Sequence, residues 1–128
     1  NRNEMKRLLL ALSMTITLPT LTHAGIDQDR AWLNAKIPGL HCSQLTHPIA
    51  AIIITSSATI RKMALSNGHA NSKGKGIFFY RGPNTRKMYL SNTAGPHIRV
   101  HEVAHSCGII DEAQAHKLSD EWKKEHSK

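Results

Sequence analysis

The chain has 128 residues, 40% hydrophobic and only 5% aromatic, with 17 basic side chains against 9 acidic ones and a formal net charge of +8. That length supports one domain with one core, and no internal repeat or second domain is visible. The basic residues are spread (Arg61-Lys62, Lys73 and Lys75, Arg86-Lys87, Lys123-Lys124) with no interleaved aromatic stripe, so specific nucleic-acid binding is not expected.

Residues 5–24, "MKRLLLALSMTITLPTLTHA", read as a secretory signal peptide. Lys6 and Arg7 form the charged start and Leu8 to Leu18 a short apolar stretch. Thr22 and Ala24 put small residues at the −3 and −1 cleavage positions. The apolar run is too short and too rich in Ser and Thr for a stable membrane span. Asn1 to Glu4 precede the expected start methionine. Cleavage leaves one domain over 25–128, with net charge +6 from 14 basic and 8 acidic residues. The expected location is periplasmic or secreted, where a basic surface can contact anionic envelope polymers. In such an oxidising compartment Cys42 and Cys107 are expected to pair. The alternatives are two buried thiols, or Cys107 near a metal.

Gly25 to Lys36 predicts a short helix, with Asp27 as a cap, ended by Pro38-Gly39. In "HPIAAIIITSS" the β-branched Ile49, Ile52, Ile53 and Ile54 predict a strand, and the near-continuous apolar run suggests cover on both faces. "TIRKMALSNGHANSKGKG" reads as a polar loop or loose hairpin. "IFFY" and "KMYLS" predict a hairpin around the turn "RGPNTR". Gly95-Pro96 opens a helix that Gly108 ends after Cys107. Asp111 caps a last helix, with Gln114 at its third position as in a capping box.

The helix from Pro96 contains His101-Glu102-Val103-Ala104-His105. Imidazoles at i and i+4 lie side by side on one face, a spacing that lets both bind one Zn²⁺. Glu102 projects about 100° further round, toward the open coordination position. Val100, Val103, Ala104 and Cys107 form the core stripe. The two histidines border that stripe, while Arg99 and Ser106 are expected to point to solvent. A catalytic zinc needs a third protein ligand. "DEAQAH" follows after one turn, and a tight reversal at Gly108 brings its helix back against the first. Glu112 is the natural third ligand. Asp111 and His116 compete with it, although capping accounts for Asp111 and first-turn dipole complementarity alone would account for Glu112. The remaining histidines, His41, His47, His69 and His126, show no ligand spacing.

This stretch resembles the gluzincin-type HExxH zinc metallopeptidases, in particular the small ImmA/IrrE-like group, in which HExxH is followed by a helix carrying Glu-x-x-Ala. Here those positions are His101, Glu102 and His105, then Glu112 and Ala115. The resemblance is specific over about twenty residues and architectural over Ile49 to Asn92. It implies an α+β fold: a minimal zincin-like domain whose small antiparallel or mixed sheet packs on the HExxH helix and a C-terminal helix. It also implies His101, His105 and Glu112 as zinc ligands and Glu102 as general base. The stabiliser of the transition state is not singled out; His116 is the first candidate, beside His97, Tyr80 and Tyr89. The expected activity is hydrolysis of a peptide or protein substrate laid as an added strand on the hairpin edge, with Asn92 to Pro96 as the near rim. The competing readings are a non-catalytic zinc-binding envelope protein of the same fold, and a basic secreted factor whose histidines are incidental.

Overall fold

Residues 25–127 are described by the structure, a computed structural model; the expected signal peptide at 5–24 lies outside the described residues. The first described element is a helix over 25–36, α1. Ile26 and Leu33 are fully buried on one side of it. Pro38 ends the helix by disfavouring helical backbone at Ile37, and Gly39 then makes the turn at φ 85°. Residues 40–50 are irregular but tied down. The Asn34 side chain both donates to the Cys42 carbonyl and accepts from its N–H, each at 2.9 Å. Arg30 donates to Gln44 and to the His47 carbonyl. Cys42 is bonded to Cys107, so the expected disulfide is present.

Strand β1 covers Ala51–Thr55, helix α2 Ser57–Ser66, and strands β2 and β3 Gly76–Phe78 and Lys87–Ser91. The sheet order is β1-β3-β2, with β1 parallel and β2 antiparallel to β3. Helices α3 (Pro96–Ser106) and α4 (Glu112–His126) pack on each other, and α3 also packs on the sheet. Among the described residues this makes a small α+β fold of four helices and a three-stranded mixed sheet. The core joins Met88 and Leu90 of the central strand to Ile26, Leu33, Val103, Ala104, Ala115 and Leu118. Among the described residues no helix is long and apolar enough to cross a membrane.

Two expectations are corrected. The segment from Thr59 to Gly76 is not a loop throughout: its first part belongs to a helix over Ser57–Ser66, and only 67–75 is turn and coil. Ser56 caps that helix by accepting from the Thr59 N–H, and Ile60 and Ala64, one turn apart, bury its inner edge. The isoleucine strand is not covered on both faces. It is an edge strand, and Ile54 is 58% exposed.

Candidate metal centre

The site begins with the ends of α3. Gly95 and Pro96 start the helix, proline being suited to a first position whose N–H needs no partner. Gly108, at φ 90°, ends it: its N–H bonds to the His105 carbonyl and the Ile109 N–H to the Ala104 carbonyl, at 3.0 and 3.1 Å. These two bonds form a Schellman cap, which reverses the backbone. The reversal carries the Ile109 carbonyl back to His105 Nδ1, 2.8 Å away. A carbonyl only accepts, so Nδ1 bears the proton and Nε2 presents its lone pair. The Cys107 disulfide pins the same turn to the segment after α1.

Asp111 then caps α4, accepting from the Gln114 N–H at 3.3 Å. Glu112 is the first residue of that helix, and the reversal aims its carboxylate at α3. Its Oε1 lies 2.5 Å from His105 Nε2 and its Oε2 3.3 Å from His101 Nε2. The two Nε2 atoms are 3.1 Å apart. His101, Glu102 and His105 are buried, and donor atoms of the three all lie within 4.8 Å of one another. Glu112 caps the group from the solvent side, its side chain 66% exposed. Two imidazoles and a carboxylate, with lone pairs converging on one point, fit a metal ion. A buried His-Glu-His group able to hold a metal is therefore present.

The other sequence candidates separate cleanly. His116, one turn beyond Glu112, places its ring 5.0 Å from that of His101. The Tyr80 hydroxyl donates to the His105 carbonyl at 2.9 Å. Tyr89 points elsewhere, donating to Asn84 in the hairpin turn. His97 folds against Gly95 at the start of the helix. Asp111 is occupied as the cap. The segment Asn92 to Pro96 borders a groove with Ile54, Leu90 and Arg99, and none of the donor residues lines it.

The electrostatics follow from burial. Desolvation, then the neighbouring His105, pushes His101 down to about 4 against the opposing pull of Glu112, so it is neutral at pH 7. Burial, with Glu112 adding to it, raises Glu102 to about 8. Burial and the charges of Glu102 and Glu112 push Tyr80 up to about 12, which keeps its phenol protonated.

Sequence reasoning missed what covers α3. Arg99 does not point to free solvent: it crosses to α1 and pairs with buried Asp29 at 2.6 and 3.2 Å. Ser106 is buried too, donating to the Val103 carbonyl. The missed neighbour of the site is Gly76 in β2, where an added Cβ would meet Glu102 Cγ at 2.9 Å. A glycine opening an edge strand next to the motif helix was the available signal.

α3 thus packs against both β2 and α4. The Lys75 carbonyl accepts from the Ser91 N–H and the Phe79 N–H donates to the Lys87 carbonyl. By alternation the N–H and C=O of Gly76 and Phe78 face the open edge. No family model, no curated protein and no solved structure matches this sequence.

Proposed function

We propose that the protein is an exported zinc-dependent peptidase of the gluzincin type. The observation that carries this reading is the convergence of His101 Nε2, His105 Nε2 and both Glu112 oxygens, with Glu102 buried beside them. Two imidazoles and one carboxylate match the donor set of catalytic zinc sites that keep a fourth position open. A Zn²⁺ held there supplies a Lewis acid that acidifies water and polarises a carbonyl. His101, His105 and Glu112 would be its ligands. Glu102 takes a proton from the attacking water and returns it to the leaving amine. Burial keeps its carboxyl protonated at neutral pH in the metal-free protein, and a bound cation beside it would favour the ionised form that can accept that proton. The outward main-chain groups of Gly76 and Phe78 offer an edge on which an extended peptide can add as a strand. Tyr80 and His116 flank the donor group from opposite walls. Tyr80 holds its proton at neutral pH but gives it to the His105 carbonyl, so donating to an oxyanion would require breaking that bond. The disulfide supports export to an oxidising compartment.

The test is peptide hydrolysis by zinc-supplied protein against its Glu102→Gln variant. The proposal expects the variant to retain metal and lose turnover. Zinc binding without hydrolysis in either protein would favour the second reading, a non-catalytic zinc protein. The small size of the cavity at the end of α3 that carries His105, about 190 Å³, speaks for that alternative.

A further inference from the structure

Past the C-terminal end of β2 lies that cavity of about 190 Å³, lined among others by His47, Tyr80, Thr85, Arg86 and Ser106. It is below the roughly 300 Å³ at which small-molecule sites begin, so it suits one amino-acid side chain or one peptide end. None of the donor residues lines it, but it lies at the end of α3 that carries His105. Ser106 follows His105, and Tyr80 both lines the cavity and donates to the His105 carbonyl. A peptide added to the β2 edge therefore passes its mouth.

The lining has a definite sign: no carboxylate contributes to it, and two of its members are basic. The hydroxyl protons of Tyr80 and Thr85 already go to the carbonyls of His105 and Gly82. The Thr46 hydroxyl donates to the His41 carbonyl, so His47 Nδ1–H donates to Thr46 and Nε2 is left free. The Arg86 guanidinium has no ion pair and no side-chain hydrogen bond among the described residues. Arg86 also sits at φ 62°, a left-handed conformation uncommon for a non-glycine residue. Its main chain is held there by bonds of 2.7 Å to Phe79 and 2.8 Å from Ala50. An arginine kept where glycine would be more comfortable, unpaired and lining a cavity, points from strain to function.

We infer that this cavity is a specificity subsite for a carboxylate of the bound peptide, paired with Arg86. The inference rests on the peptidase reading. The carboxylate has two sources, an internal Asp or Glu side group or the free carboxy terminus of the peptide.

The test uses dye-labelled peptides of randomised sequence in three sets: Glu fixed at one position with an amidated carboxy terminus, Gln at that position with the same amide, and the Gln set with a free carboxy terminus. Binding is read by fluorescence anisotropy on the Glu102→Gln variant, and hydrolysis on the unaltered protein, both with zinc supplied. The Glu or the free-carboxylate set is expected to be favoured about tenfold over the amidated Gln set; which set wins identifies the source. Arg86→Gly, which relieves the left-handed backbone and so spares the fold, must abolish the preference. Arg86→Glu must turn it toward Lys-containing peptides. Hydrolysis without a carboxylate preference, or a preference that survives Arg86→Gly, overturns the subsite and leaves the peptidase reading intact. Carboxylate-selective binding without hydrolysis upholds the subsite and counts against the peptidase. Absence of both overturns both.

Discussion

Glu102→Gln should make the metal-free protein less sensitive to alkaline pH. Glu102 holds its proton up to about pH 8 in the folded protein, against 4.5 for an ordinary glutamate. Between those values the unfolded state has lost the proton and the native state has not, so native stability falls as pH rises. His101 acts in the opposite sense. Its folded value of about 4 lies below the ordinary 6.5, so its contribution rises with pH, but only between those limits. The two effects offset each other up to pH 6.5, and from there to pH 8 the loss from Glu102 stands alone between them. At about 1.4 kcal/mol per pH unit, that interval costs about 2 kcal/mol, or about 10 °C in Tm for a domain of this size. Glutamine has the same shape and no proton to lose. Urea unfolding of metal-stripped protein at pH 6.5 and 8.0 should show this loss in the unaltered protein and a flat response in the variant. Equal losses in both would refute the placement of Glu102 as a buried, protonated carboxyl group.

Three further outcomes follow from the packing. Reducing the Cys42–Cys107 bond releases a loop of 65 residues and should lower stability by about 4 kcal/mol, read as the shift in urea midpoint with and without reductant. Gly76→Ala puts a methyl group 2.9 Å from Glu102 Cγ; it should destabilise the fold by about 1–3 kcal/mol and lower any hydrolysis more than zinc binding, measured side by side. Asp29→Asn leaves the Arg99 guanidinium without its buried partner and should cost about 3 kcal/mol in thermal or urea unfolding.

The site was legible in the sequence wherever it depends on local chemistry. The i, i+4 histidines, the stop at Gly108, the cap at Asp111 and the position of Glu112 one residue later are all set within a dozen residues, and short-range rules place them. The pairing of Cys42 with Cys107 needed only an even cysteine count and a compartment. What could not be read is long-range. A helical wheel assigns Arg99 and Ser106 to solvent because it cannot see α1 and the sheet closing over them, so that Val100 to Cys107 is buried without a break. Helix α2 is mostly polar and buries little besides Ile60 and Ala64, leaving a faint period against a strong loop composition. The isoleucine run looks like a central strand because its apolar pattern does not record that β3 lies between β1 and β2. Gly76 reads as a flexible residue in a glycine-rich loop until Glu102 is seen to occupy the space a side group would take.

The central claim is that His101, His105 and Glu112 form one metal site. It is tested most directly by the zinc content of the purified, untagged protein beside its His105→Ala and Glu112→Ala variants. The account predicts one zinc per molecule, lost in both variants while each stays folded by circular dichroism. A protein that takes up no zinc when it is supplied and the excess removed, or that keeps it after Glu112→Ala, would contradict the account.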